Sequence, residues 1–420
     1  MESSRAPDRG KLVVFFVLFA AQTFPLAFFT VVVPPILRLG GVPLEKIGLF
    51  SILTLIVLLK SVFAPIVEKF NRGPFGPLKT WIYGAQLCTI GATAWMGFVE
   101  PVSQVDLLFL VAAVWMVCAN IQDIGVDALT VRSFTRAQHS TVSTLAIFSG
   151  QASAIIAGFV IVQIVLATNF QIGVALVTAF LFLPFLLLRT IKEPPPVKHT
   201  IAVPTWRDYT ATFERKGLSR WIWSVFFLTF AFGLTNPMRD PLLVDRGFSL
   251  DELSRFNGLV APLIGMVAVV TMPFVFRYFK APKLLTIALW IIIVQAVAFL
   301  AVVAGPMPKS YVYALTAVGS FAATYLFVAF GAIHLSLARP SRAAVDIATF
   351  ATFPAFASAV SGVLGGILAG ALGYEVLFYG SLVLKIAAVV VLVRKLEVEQ
   401  HYSTEPRGDE VGEAPVPATS

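Results

Sequence analysis

From Leu12 to Val393 the chain is a succession of apolar stretches, each long enough to cross a bilayer and each ended by a polar connection. A spanning helix needs about 20 apolar residues. Within lipid, each backbone N–H and C=O must find its partner inside the segment or in a closed barrel, so runs of this length specify helices. The runs lie at 12–37, 46–67, 80–99, 107–130, 142–167, 171–190, 220–244, 252–275, 284–304, 311–336, 345–371 and 375–393. They predict an all-α integral membrane protein with twelve transmembrane helices. Composition agrees: 58% of residues are hydrophobic, 13% are charged and the mean hydropathy is +0.85. Soluble domains carry about a quarter charged residues. Prolines fall in the first, seventh and eleventh runs (Pro25, Pro34, Pro35, Pro237, Pro241, Pro354). Spanning helices tolerate such kinks where neighbours satisfy the freed groups.

The net charge of +8 is explained by topology. With both termini cytoplasmic, one side collects Arg5, Arg9, Lys11, Lys69, Arg72, Lys79, Arg132, Arg136, the segment 189–220, Arg277, Lys280, Lys283, Arg339, Arg342, Arg394, Lys395 and Arg407. The other side holds Arg38, Lys46, Arg246, Arg255 and Lys309. This is the inside-positive bias of membrane proteins, and no nucleic-acid partner is needed to explain it. The lipid bilayer is the expected surrounding. Cys88 and Cys118 lie within apolar runs and read as small buried hydrophobes, with no disulfide framework and no metal or cofactor site. The first apolar run is too long for a signal-peptide core and is read as a retained helix.

The polar segment 189–219 divides the helices six and six. "PILRLGGVPLEKIG" (35–48) and "PLLVDRGFSLDELS" (241–254) occupy the same joint in each half. At an offset of 206 residues Pro35 meets Pro241, Gly41 meets Gly247, Leu44 meets Leu250 and Glu45 meets Asp251. The expected organisation is a first six-helix bundle (1–188), a cytoplasmic linker (189–219), a second bundle (220–393) and a disordered tail (394–420). Transporters with such repeats hold substrate between the halves near the midplane.

Charged residues inside such helices are costly and mark function by default. Lys60 lies about eight residues, or about 12 Å of helix rise, from the border near Glu68. Asp123 lies at a similar depth, measured from Arg132, and Asp127 one turn nearer that border. Asn120, Asp123 and Asp127 are spaced i, i+3, i+7 and share one helix face. Two readings stand for Lys60 and Asp123: a static pair that holds the first half together, or a carboxylate that titrates while the lysine changes partners. Glu68 and Arg132 form either a gate pair or a surface ion pair at the border. In "NPMRD" (236–240), Asn236, Arg239 and Asp240 point to substrate binding, with snorkelling of Arg239 as the alternative. Asn120 and Gln122 add hydrogen-bonding capacity facing a solute, and His334 reads as interfacial.

"PLEKIGLFSILTLIVLLKSVFAPIVEKF" (43–70) resembles the second helix of the peptide/acetyl-CoA transporter branch of the major facilitator superfamily, through Ile47, Gly48, Leu49, Lys60, Ala64, Pro65, Glu68 and Lys69. "NIQDIGVDALTVR" (120–132) resembles that branch's fourth-helix signature. The likeness is strong over about 40–135 and loose in the second half. It implies the major facilitator fold; the symmetry of the two halves points to alternating access, and on the functional reading of the buried charges Asp123, Asp127 and Lys60 serve proton coupling. "DALTVR" is most similar to the rhizobactin- and pyochelin-type siderophore permeases, relatives of the muropeptide permeases. Glu68 stands where that pattern has Asp, and Phe63 where Trp is common. The resemblance implies a monomeric, proton-driven importer of a ferric siderophore in a bacterial inner membrane, with uptake of a muropeptide or an acyl-CoA-like solute as the alternative. A membrane-embedded acyltransferase would want histidines near a membrane face. Of the four histidines, His139, His199 and His401 fall in loops or tail, so an enzyme is not expected. No G-x-x-x-x-G-K-[ST] loop is present to drive transport with ATP.

Overall fold

Apolar runs that must close their own backbone hydrogen bonds fold as helices. The computed structural model, which describes residues 8–60, 63, 66–67, 73–135, 138–193, 212–215, 217–337 and 343–402, consists of helices joined by turns. Helix α1 spans Arg9–Leu39. Helix α2 begins as Leu44–Leu49 and tightens into a 3-10 helix over Phe50–Leu59. Then follow α3 (Pro77–Met96), α4 (Val105–Ser133), α5 (Thr141–Ala167) and α6 (Phe170–Thr190). The second half holds α7 (Leu218–Asp245), α8 (Leu250–Tyr278), α9 (Ala281–Ala304) and α10 (Lys309–Leu337). The last run, Ala343–Tyr402, bends at Gly373 (φ 81°, ψ 167°) into α11 (343–372) and α12 (374–402). Among the described residues nine runs are long and apolar enough to cross a membrane by length and composition.

The prolines act unequally. Pro34 and Pro35 follow a π-helical turn, Phe28–Val32, where the ladder loosens ahead of two residues that cannot donate. Pro237 sits in a single 3-10 turn, Asn236–Met238. Pro354 lies inside unbroken helical backbone; the bend in that run falls at Gly373.

The sequence repeat is also a repeat of backbone geometry. After α1, the amide of Gly41 donates to Arg38 O (2.9 Å) and that of Val42 to Leu37 O (3.0 Å). After α7, Gly247 donates to Val244 O (2.9 Å) and Phe248 to Leu243 O (3.0 Å). Each pair of bonds closes a helix end around a left-handed residue, and glycine supplies it at Gly41 (φ 78°) and Gly247 (φ 84°). The next helices start at Leu44 and Leu250, at the same offset of 206 residues.

Cross-bonds identify the two faces of the molecule. At one, which will be called the terminal face, Lys11 Nζ donates to Ser133 O, joining the start of α1 to the end of α4. There too Lys79 Nζ donates to Ile191 O (2.9 Å), and Arg215 Nη1 to Leu337 O (2.8 Å). At the opposite, loop face, Lys46 pairs with Asp106 (3.1 Å). One apolar core runs across both halves near the loop face, joining Phe28, Val32, Leu37 and Leu108 to Leu242 and Phe248. At the terminal face each half has its own core. Phe15, Leu78, Ile82 and Leu129 belong to one; Trp221, Leu285, Ile333 and Leu392 belong to the other. The halves touch backbone to backbone at two crossings. Gly158 of α5 meets Gly258 of α8, and Gly48 of α2 meets Gly366 of α11. Any side chain there would strike the other helix; a Cβ on Gly48 would lie 2.9 Å from Gly366 Cα.

Candidate functional site

The 3-10 run of α2 ends at Leu59, so Lys60 stands where this helix returns to α geometry. A mid-helix stretch of 3-10 often marks strain or a hinge. Its amine forms an ion pair with Asp123 of α4 and lies 3.4 Å from Asp127 Oδ2. One turn along α4, Asn120 Nδ2 donates to Ile56 O of α2. Asn120, Asp123 and Asp127 therefore share the face of α4 that meets α2, as their spacing predicts. The cluster is partly open: the Lys60 side chain is 34% exposed, Asp123 29% and Asp127 61%. One lysine faces two carboxylates, so a proton, or a cationic group of a solute, has a place there. Gln122 is buried with no hydrogen-bond partner among the described residues.

Glu68 lies outside the described residues, and with it the expected gate partner of Arg132. Arg132 Nη1 stands 3.7 Å from Glu193 Oε1. Both oxygens of Glu193 also accept from the first amides of α3, Leu78 (2.9 Å) and Lys79 (3.1 Å). A carboxylate at a helix N-terminus meets unpaired donors and the positive end of the helix dipole.

In the second half a cavity of about 770 Å³ opens among α7, α9, α10, α11 and α12. Its wall is largely aromatic and aliphatic, with a few polar groups. Arg239 reaches Thr316 Oγ1 (2.6 Å), and its guanidinium lies 5.6 Å from the ring centre of Phe299. Asp240 faces away from that contact and accepts from Asn257 Nδ2 (2.8 Å). Asn236 lines this cavity and a smaller one of about 240 Å³ at the seam, where Phe29, Ser51, Asp240 and Ser358 meet. His334 lines the large cavity, stacked on Phe350 with ring centres 4.8 Å apart.

Two features escaped the sequence reading. Lys385 of α12 is 7% exposed, lines the cavity and donates to Thr235 Oγ1 (2.7 Å). The signal was present: a lysine in "SLVLKIAAVVVLV" (381–393) is as anomalous as Lys60. The second is a seam of polar contacts at the loop face. Arg38 of α1 holds Asp245 of α7 through two bonds, Nε to Oδ1 (2.7 Å) and Nη2 to Oδ2 (2.6 Å). Tyr374 donates to the same carboxylate (2.8 Å), and Gln163 of α5 to Asp251 of α8 (2.6 Å). Among the described residues no three His, Cys, Asp or Glu side chains are placed to hold a metal ion.

No family model matches the chain. An anhydromuropeptide permease of Escherichia coli K12 is 22% identical over 265 residues, which cover 60% of this chain and 53% of that protein. The chain thus spans about half the length of that relative. A putative transporter, AmpG 4, of Rickettsia felis is 22% identical over 273 residues, covering 61% of this chain and 66% of that one. Among solved structures, a POT family transporter in complex with 5-aminolevulinic acid matches with a TM-score of 0.71 at 12% identity, over 94% of this chain and 97% of that one. The relatives and the structural neighbours are transporters, not enzymes, and the chain is a multi-pass helical membrane protein with the fold of major-facilitator-type transporters.

Proposed function

We infer that this chain carries a muropeptide-class solute, part sugar and part peptide, across a bacterial inner membrane by alternating access. Twelve spanning helices in two halves of six, 1–188 and 220–393, are joined by the linker 189–219, with both termini and the tail 394–420 in the cytoplasm. The count of twelve is supported by the nine long apolar helices, the bend at Gly373 that divides the last of them, and the shorter α2 and α3. The repeated turns at Gly41 and Gly247 support the division into halves. The terminal face is the cytoplasmic one, by its excess of Lys and Arg.

The observation that carries the reading is the cavity of about 770 Å³ walled by one half. It is the size of a site for a large organic solute, apolar enough for sugar and methyl faces, and set with Arg239, Asn236 and Lys385 for hydrogen bonding. The halves are joined at the loop face and have separate cores at the terminal face, the arrangement of a carrier open towards the cytoplasm. Asp123 and Asp127 beside Lys60 take the coupling proton in the other half. The muropeptide class is favoured over the siderophore by the relatives. The siderophore reading rests on the likeness of two short stretches, "DALTVR" (127–132) and "PPILRLGGVPLEKIG" (34–48).

Spheroplasts of a bacterium without its own permease would be offered radiolabelled anhydromuropeptide or a ferric siderophore, with and without a protonophore. The expected result is chain-dependent, protonophore-sensitive uptake of the muropeptide. Siderophore uptake with no muropeptide uptake would reverse the assignment, and uptake indifferent to protonophore would remove the coupling role of the carboxylates.

A further inference from the structure

Lys385 and Arg239 are two cations on the wall of one cavity, 146 positions apart in the chain. Lys385 is buried, with Thr235 Oγ1 as its hydrogen-bond partner at 2.7 Å and the ring of Phe232 5.1 Å from its nitrogen. Arg239 has Thr316 Oγ1 at 2.6 Å and the ring of Phe299, while its Nε is buried without a partner. Among the described residues neither cation is in an ion pair. The neighbouring carboxylate, Asp240, is engaged by Asn257. An ammonium buried among aromatic rings costs a great deal unless a charge is brought to it, and among the described residues none is paired with Lys385.

A transported anion would supply that charge. Lys385 Nζ has three donors and spends one on Thr235. The hydroxyl of Thr235 accepts from the lysine and gives its own proton to Phe232 O (3.3 Å). The lysine thus keeps two N–H donors for the oxygens of a carboxylate, and Thr235 fixes its direction. Asn236 and Gln295 line the same cavity and can serve the amides and hydroxyls beside it. The rings of Phe232 and Phe299 lie beside the two cations, and their low polarity strengthens the attraction. The opposite half carries the reverse balance, two carboxylates against Lys60.

We propose that Lys385, oriented by Thr235 and with Arg239 on the same wall, forms a carboxylate subsite in the second half that holds the anionic end of the transported solute, while Asp123 and Asp127 face its cationic end or the coupling proton. This assignment rests on the reading of the cavity as the solute's site, and it predicts a solute with at least one obligatory carboxylate.

Two measurements on the full-length chain in nanodiscs test it. The first compares binding of an anhydromuropeptide with that of the same molecule carrying its carboxyls as amides. Wild type should favour the acid by about ten- to a hundredfold, the worth of a hydrogen bond to a charged group. Lys385→Gln should lose that preference and K385R should keep part of it, each with a wild-type unfolding midpoint. An unchanged acid preference in K385Q would overturn the subsite. The second does not depend on which solute is carried. Lys385 is methylated reductively and followed by mass spectrometry in the presence of N-benzoylalanine or its amide. Slower labelling with the acid alone supports the subsite, and equal labelling overturns it. If the muropeptide does not bind at all, the substrate class fails and the labelling result still decides the subsite.

Discussion

At Lys60 the static and the functional explanations make opposite predictions for a double substitution. The lysine is 34% exposed and Asp123 29%, so screening trims their attraction, and each single change to alanine should cost on the order of 1–3 kcal/mol. Removing both leaves only Asp127 without its lysine, and that side chain is 61% exposed and hydrated, so Lys60→Ala with Asp123→Ala should regain most of that stability. A static pair would then regain transport as well. The expected outcome is a double variant with a near-wild-type unfolding midpoint and uptake still down at least about tenfold, since a missing proton site is not restored by neutrality. Recovered uptake in the double variant would reduce the pair to scaffolding. This site was legible in the sequence because two local rules suffice: depth counted along a helix, and the i, i+3, i+7 face that sets Asn120, Asp123 and Asp127 together. Lys385 was equally legible by the first rule. The partners of Arg132 and Arg239 were not, because Glu193 comes from the segment after α6 and Thr316 from α10, and periodicity says nothing about which segments adjoin.

Among elements, the crossings of α5 with α8 and of α2 with α11 carry the contact between halves. Gly158 and Gly258 touch through backbone, so Gly258→Leu must push α5 away. Overpacking of this kind costs about 1–3 kcal/mol. The expected result is a lower unfolding midpoint in detergent together with lost uptake. Gly84→Leu on α3, which has open space around it, should leave both unchanged. Equal tolerance at the two glycines would mean that the crossing is not a packed pivot. Helix positions were readable to within a few residues, since each lipid-spanning run must be long and apolar, except that the last helix runs on to Tyr402, past the expected end at Val393 and into the segment expected as disordered tail. The departures from α geometry were not. The π-helical turns at Ile156–Val160 and Ser254–Val260 lie at this same crossing, and the 3-10 run of α2 lies next to the other. Such turns answer to tertiary contact, and neither proline nor glycine spacing announces them.

For the whole molecule, the two-bond pair between Arg38 and Asp245 ties α1 to α7 across the loop face, and Tyr374 of α12 holds the same carboxylate. The pair joins residues 207 positions apart. No pattern within either half points to it; it exists only once the halves dock. It belongs to the closed loop face and must open if solute is to enter from that side. A ligand or substitution shifts such an equilibrium only by the free energy that differs between the two states. The side chains are 23% and 31% exposed, which limits the pair to about 1 kcal/mol, or roughly a fivefold change in the open population. With Cys88 and Cys118 replaced by serine, a single cysteine at Ser51 reports on the seam cavity. A membrane-impermeant thiol reagent added at the loop face should label it several times faster in Arg38→Ala than in the parent. Exchanging the charges, Arg38→Asp with Asp245→Arg, should return the rate towards the parent, because the contact is remade with its ends reversed. Labelling that ignores Arg38 would show that the apolar core around Phe28, Leu37 and Leu242 alone keeps this face shut. The charged pair would then set register between the halves, with no part in the timing of their motion.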